Sequence, residues 1–416
     1  MHLLRSERLA AVLLLAAAAL GLLLANLPVG PALLDLLHAH VGPSAVGLDL
    51  SVGHWISDGL LAVFFFIVAV ELKRELVIGE LNSLAKAMLP AVAAVGGVVV
   101  PALVFLAFTW GTPTANGWPV PTATDIAFAL GILAVFGRWL PMRVRVFLLA
   151  LAVIDDLIAI LIIAFFFTAD ANLASLGFAA VAIALFGAVS RVLRPRSPWI
   201  LGRRAQWPIV VLLVVLAVIA WVFVFRSGVH ATIAGVALGF VMSRRPGGRA
   251  AHALEPWSNA VVLPLFAMTA AMVPVPQVSA ADLDPAFWGI LAGLPVGKVV
   301  GITLAGVLSA LVLRSRSRSS RRIGSEPRAA GGGTTPLTTV DLLVVGTLGG
   351  VGFTVSLLMN ELAFAGDRSV ADQGTLAVLL GSGIAIVASG FAVSARSRAY
   401  RRQGRAHEGV GGALSR

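Results

Sequence analysis

The sequence predicts an all-α polytopic membrane protein of about twelve transmembrane helices, and three observations predict it. Apolar residues make up 58% of the 416 and charged residues only 12%, with a mean hydropathy of +0.95. A soluble domain of this length needs far more charge to cover its surface. The apolar residues fall in runs of roughly 18–25, the length that crosses about 30 Å of hydrocarbon in an α-helix. The third observation is where the arginines and lysines lie between those runs.

In chain order the runs lie near 9–26, 58–76, 87–110, 121–137, 145–168, 173–190, 208–225, 228–243, 257–276, 286–313, 338–360 and 372–394. With the N-terminus in the cytoplasm the connections alternate inside and outside, and 28 of the 31 basic residues fall inside. Arg226 and Arg368 fall outside, and Lys298 alone lies within a run. A missed helix would invert every later connection, so this asymmetry supports the count and puts both termini in the cytoplasm. The formal charge of +11 and the pI near 11.4 are therefore topological, and they call for no nucleic-acid partner. The absence of cysteine excludes disulfides, thiol catalysis and thiolate metal sites.

The opening Met1–Asn26 carries Arg5 and Arg8 ahead of its apolar run. It reads as a first span rather than a cleaved signal peptide, because no small-x-small site ends the run before Leu27-Pro28. Residues 41–53, VGPSAVGLDLSVG, alternate apolar and polar between glycines and read as a short extracellular hairpin. Residues 1–394 form a single transmembrane domain, 314–337 a cytoplasmic loop and 395–416 a basic cytoplasmic tail. The arginine runs of that loop and tail read as flexible segments within reach of anionic lipid.

Ionisable groups inside a bilayer are expensive, so each one in a span is a functional candidate. Asp155 and Asp156 lie in ALAVIDDLIAILIIAFFF, about 11 residues or ~15 Å from either end of their run. Adjacent helical positions point about 100° apart, so both carboxylates share one cavity only if it is wide. Two close carboxylates repel, and such a pair either shares a proton or binds a small hard cation through its oxygens. Lys298, in GLPVGKVVGITLAG, lies mid-run in a chain with 28 arginines and three lysines. Arginine keeps its proton in a protein and a desolvated lysine can release one, so Lys298 reads as a proton carrier or as a static counter-ion of Asp125 or Asp155.

Asp125 follows Pro121-Thr122-Ala123-Thr124, poor helix formers at the start of their run. The second irregular stretch is GTLGGVGFT, residues 346–354, in the middle of the 338–360 run. Interrupted spans in corresponding places of two halves point to broken helices around a binding site. Facing half-helix ends leave partial charges, which Asp125 would offset at the positive ends and Lys298 at the negative ends. For the glycines alone, close helix packing explains as much.

At these residues the sequence resembles the NhaA family of bacterial sodium/proton antiporters. The similarity runs from about Val12 to Ser394 and rests on seven stretches in family order. They are SDGLLAVFFFIVAVELKREL (57–76), PTATDIAFALGILAVFG (121–137), FLLALAVIDDLIAILIIAFF (147–166), SGVHATIAGV (227–236), LPLFA (263–267), GKVVGI (297–302) and GVGFTVSL (350–357). The family is itself a standing example of inverted-topology transporters, so the repeat reading and the resemblance are one argument.

The resemblance implies inverted repeats with two broken helices crossing near the midplane, and electrogenic exchange of Na⁺ or Li⁺ for H⁺ across the bacterial cytoplasmic membrane. Sodium, lithium and protons are then cargo, and the protein is a carrier rather than an enzyme, with no cofactor and no organic substrate. Asp156 would be the principal ion ligand and Asp155 the partner of Lys298, with Thr124 and Asp125 at the crossing. Glu71, Arg74 and Glu75 match a cluster associated with pH response, to which His252 and Glu255 would belong. Asp58 and His230 match family positions, though satisfied polar groups near the membrane surface explain them equally. The hairpin would pair two protomers into a homodimer. Ala251 and Glu255 stand where the family has an acid and a second histidine, and Ala270 and Met272 where it has Asn and Gly. These departures leave the carboxylates intact and bear on pH dependence.

Other classes fit less well. A channel gains nothing from a titratable lysine opposite a carboxylate pair, and the chain shows no repeat resembling a selectivity filter. A sodium-coupled symporter would present extra polar side chains for its organic substrate, and a scaffold would leave the buried charges unexplained.

Overall fold

The computed structural model describes residues 7–43, 48–78, 84–167, 172–194, 205–275, 283–322 and 337–413. Nearly all of them are helical. The helices are α1 (Glu7–Ala25), α2 (Gly30–His38), α3 (Val52–Ile78), α4 (Leu84–Thr109), α5 (Ile126–Phe136), α6 (Met142–Phe166), α7 (Leu173–Ser190) and α8 (Trp207–Arg226). There follow α9 (Thr232–Val241), α10 (Arg244–Trp257), α11 (Leu263–Ala270), α12 (Pro285–Ala292), α13 (Lys298–Arg322), α14 (Thr339–Gly349), α15 (Phe353–Ala363) and α16 (Arg368–Ala413). The two strands, β1 (His40–Val41) and β2 (Leu50–Ser51), pair antiparallel with Val41 opposite Leu50.

Every predicted run overlaps one of these helices, but not every run is filled by one. Among the described residues seven helices are long and apolar enough to span, and nine spans result if each of two bent pairs counts as one. The bent pairs are Val12–Ala25 with Gly30–His38, at 109°, and Thr339–Gly349 with Phe353–Ala363, at 52°. The remaining runs, 121–137, 228–243 and 257–276, hold the shorter helices α5, α9 and α11. Local chemistry explains the shortening. Gly228, at φ +78°, breaks the chain before α9, and Pro264 opens α11 behind a π-turn at Ser258–Val262.

The predicted flexible loop and tail differ too. Helical backbone continues from Lys298 to Arg322 and from Arg368 to Ala413, well past the apolar runs. Arginine and alanine are strong helix formers, and no proline interrupts either extension.

The chain divides into two compact units. Unit 1 comprises residues 1–79 and 160–275, and unit 2 residues 80–159 and 276–416, so α6 contributes to both. In unit 1, α1 packs on α11, α3 on α9 and α10, and α7 on α8. The Lys73 ammonium donates to the carbonyls of Phe240 (2.6 Å) and Met242 (2.7 Å), closing the C-terminal end of α9. In unit 2, α13 packs on α4 and α14, and α16 on α12 and α14. The α4–α13 approach is set by glycine: a Cβ on Gly297 would lie 2.7 Å from Pro101 Cα, and one on Gly301 would strike the Gly96 carbonyl. Between α12 and α13 the segment Gly293–Gly297, with Pro295 inside it, forms a π-turn that ends at Lys298.

Candidate functional site

The site lies in unit 2 and is built on two interruptions. Ahead of α5, Thr122 ends a short 3₁₀ turn and Ala123 to Asp125 run extended, because threonine and proline resist the helix. Between α14 and α15 the chain unwinds at Gly350-Val351-Gly352. Gly352 leaves little room for a side chain, since a Cβ there would lie 2.5 Å from Leu294 Cδ2 and press on the Ser356 hydroxyl, so both would have to shift.

The two interruptions satisfy each other. The Asp125 amide donates to the Val351 carbonyl (2.6 Å) and the Thr124 hydroxyl to the Gly349 carbonyl (2.8 Å). Backbone groups freed by a break must find partners when water is excluded, and here each break supplies partners for the other. The Asp125 carboxylate then serves two helix starts at once. Its Oδ1 accepts from the Phe128 amide of α5 (3.2 Å), while its Oδ2 accepts from the amide (3.2 Å) and the hydroxyl (2.6 Å) of Thr354 in α15. A carboxylate between two N-termini offsets the positive ends of both half-helices, as expected of Asp125.

Lys298 meets Asp155, one of the two carboxylates weighed as its counter-ion, and not a helix end. Its Nζ donates to Asp155 at 3.0 Å and 2.8 Å, and the two side chains are 0% and 1% exposed. The negative end of α14, at Gly349, is met by Thr124 rather than by the lysine. Asp156 is buried, and its charge acts on Lys298 along with that of Asp155. The Thr124 side chain also reaches the Asp155 carboxylate. Thr124, Asp125, Asp155, Asp156 and Lys298 are thus gathered in one buried region. Removing one member of a fully buried ion pair costs about 3–5 kcal/mol, so the arrangement holds only while both charges are compensated.

The residues expected in the pH response all lie in unit 1. Glu71 is within electrostatic range of Glu255, Arg74 and Glu75. His252 Nδ1 lies 3.7 Å from Glu255 Oε2 on an exposed face of α10. Ala251, Ala270 and Met272 are buried, so three of the four departures noted above are filled by apolar packing, and Glu255 is not. Asp58 and His230 pair at 3.4 Å, also in unit 1.

Sequence reasoning missed Thr354, although its GVGFT context was singled out. It also missed Asp341, where Thr338-x-x-Asp341 is a legible capping box: Thr338 Oγ1 accepts from the Asp341 amide and Asp341 Oδ2 from the Thr338 amide.

Apolar helices that enclose an aspartate–lysine pair beside two interrupted spans define a multi-pass membrane transport protein. The model of the Na⁺/H⁺ antiporter 1 family matches residues 1–393, and the chain belongs to that family. It is 58% identical over 404 residues to Na(+)/H(+) antiporter NhaA 2 of Clavibacter michiganensis, covering 97% of this chain and 94% of the relative. It is 45% identical to the NhaA antiporter of Tropheryma whipplei over 383 residues, 92% of each chain. With the Streptomyces antibioticus relative the identity is 43% over 412 residues, 96% of this chain and 79% of that one.

Proposed function

We propose that the protein is an electrogenic antiporter exchanging Na⁺ or Li⁺ for H⁺ by alternating access at Asp155 and Asp156. The observation that carries this reading is the buried Lys298–Asp155 pair with Asp156 beside it. A cation arriving at the two carboxylates competes with the protons they carry and with the Lys298 ammonium. Loading sodium therefore expels positive charge from the same pocket, which is the coupling an exchanger requires. Asp156 acts as the principal ligand, Asp155 alternates between cation and lysine, and Asp125 with Thr124 keeps the two breaks in register.

The proposed topology has twelve crossings, three made by the shorter helices α5, α9 and α11, and inverted repeats that place the breaks in corresponding positions. Both termini face the cytoplasm of the bacterial inner membrane, on the charge asymmetry of the loops. A reporter active only in the periplasm, fused to residue 416, should then be silent. Glu71, Arg74, Glu75, His252 and Glu255 tune the pH response, and the β1–β2 hairpin pairs with that of a second protomer.

The deciding experiment is flux in proteoliposomes. Na⁺-dependent collapse of an imposed ΔpH is the expected result, and a Na⁺ current without proton movement would make the protein a channel.

A further inference from the structure

One face of α16 changes character where its apolar run ends. Leu380, Ile384, Val387 and Phe391 are spaced four, three and four residues apart, so they stand in one stripe along the helix. Their exposure rises from 49% at Leu380 to 75% at Phe391, an apolar surface matched to lipid tails in a membrane-spanning chain. The stripe continues through exposed Ala395 to exposed Arg398 and Arg402, again at spacings of four, three and four. Arg398 lies seven residues, about 10 Å, beyond Phe391, and a headgroup layer is about 5–8 Å thick on each side of the hydrocarbon. The arginine stem covers apolar surface while its charge stays at the level of the phosphates.

The basic side chains nearby are engaged elsewhere. Arg396 turns inward to the buried Asp341 (2.8 Å), and Arg143 donates to the Tyr400 hydroxyl (3.0 Å). Arg398 and Arg402 make no ion pair among the described residues. Beside them the Trp139 amide, in the connection from α5 to α6, donates to Ser397 Oγ (3.2 Å). The Trp139 ring is half exposed, and the Arg401 guanidinium lies 5.7 Å from its centre. An exposed indole at the end of apolar helices suits the headgroup level, where its apolar ring and its N–H are both satisfied.

We propose that the 380–402 face of α16, with Trp139 and Arg401 at its side, is a binding site for one anionic phospholipid. An acyl chain lies along Leu380, Ile384, Val387 and Phe391, and the phosphate meets Arg398 and Arg402. A guanidinium presents paired N–H donors that match phosphate oxygens, so two of them one turn apart hold the headgroup in place. The occupant is a lipid rather than a free phosphate, because the arginines continue an apolar stripe that a free anion would leave uncovered. A zwitterionic lipid fits less well, since its own cation competes with the arginines for the phosphate. Each arginine near an anionic headgroup strengthens binding by about fivefold. The site depends on the membrane reading of the chain and not on which ions the chain carries.

The native chain has no cysteine, so Ala395→Cys gives a single labelling position in the middle of the stripe. The bimane-labelled protein is reconstituted in phosphatidylcholine vesicles, and its quenching is titrated with doxyl-labelled phosphatidylglycerol and, separately, with doxyl-labelled phosphatidylcholine. The expected result is a preference for phosphatidylglycerol of about fivefold for each arginine, lost when Arg398→Gln and Arg402→Gln are added to the labelled protein. Equal quenching by the two lipids, or a preference that survives the double substitution, would overturn the site. Inorganic phosphate at millimolar concentration should leave the quenching unchanged. Relief of quenching by phosphate would mean an anion site with no seat for an acyl chain, and would overturn the proposal as well.

Discussion

Two buried aspartates of unit 2 face buried or half-buried cations, and they are held in contrasting ways. Asp341 takes hydrogen bonds from Arg396, Tyr400 and the Thr338 amide, so both of its oxygens are engaged from several directions. Its cation is an arginine, which keeps its proton under all ordinary conditions. Asp155 meets Lys298, whose Nζ touches both oxygens, and the side chain of Thr124. Its cation is a lysine, whose proton can leave, and a second carboxylate is the next residue in the chain. A saturated carboxylate with a permanent counter-charge is a joint. A sparsely bonded one with a titratable counter-charge and a like-charged neighbour can trade partners. The difference separates a structural ion pair from one suited to exchange.

The contrast is broken most directly by neutralising each aspartate. Asp155→Asn and Asp156→Asn should each abolish Na⁺/H⁺ exchange in proteoliposomes while the protein remains folded in detergent, because under the proposed mechanism the lost group is a cargo ligand. Asp341→Asn should do the reverse, retaining exchange at reduced rate while losing about 3 kcal/mol of stability from a broken buried pair, read as an earlier thermal transition. Retention of exchange by Asp156→Asn would remove the assigned site.

Lys298→Arg sharpens the same comparison by giving Asp155 the kind of partner Asp341 has. An arginine at 298 supplies charge without a releasable proton. If the lysine proton is part of the cycle, exchange fails or changes its response to an imposed membrane potential. Unchanged rate and voltage dependence would make Lys298 a counter-ion, leaving Asp155 and Asp156 to carry the protons.

How much of this was legible in the sequence follows from the same physics. Asp125, Asp155, Asp156 and Lys298 stand out because a charge in an apolar run is costly and therefore rare. Thr354 does not stand out, since a hydroxyl in a membrane helix usually bonds its own backbone and carries no such cost. Asp341 and Tyr400 lie at the edge of their runs, where polar residues are ordinary, and only the fold brings positions 143, 341 and 400 together. The pairing of Lys298 with Asp155 was among those the sequence offered, whereas the π-turn at Gly293–Gly297 just before the lysine is not registered by hydropathy. In three runs the helix is shorter than the apolar stretch for a related reason: glycine and proline breaks leave the average hydropathy of a run unchanged.

A smaller effect is expected from pH. Na⁺ needs carboxylates without protons, so its apparent affinity should weaken as pH falls, by up to about tenfold per pH unit for each competing proton. Titrating the Na⁺ dependence of exchange at a series of pH values tests this, and an affinity that stays constant from alkaline to acid pH would refute competition at a shared site. A shallower or shifted profile is expected, because the resemblance sets Ala251 and Glu255 where an acid and a second histidine are implied.

The smallest expected effect belongs to Thr354, and it tests whether the Asp125 carboxylate behaves as a joint or as a ligand. The donors to Asp125 include the Phe128 amide and the amide and hydroxyl of Thr354. Thr354→Val keeps the shape and the amide while deleting the hydroxyl, so the carboxylate keeps contact with both helix starts. A single hydrogen bond to a charged group is worth about 1.5–3 kcal/mol, yet the two remaining amides still compensate the charge. If Asp125 only holds the two breaks together, the variant should lose a little thermal stability and slow exchange severalfold at most, with unchanged apparent Na⁺ affinity. If Asp125 binds the cargo, releasing its strongest donor frees an oxygen for the cation, and the apparent Na⁺ affinity should shift. A side-by-side titration of Thr354→Val and the unsubstituted protein separates these outcomes, and a shifted affinity would move Asp125 from the class of Asp341 to that of Asp155.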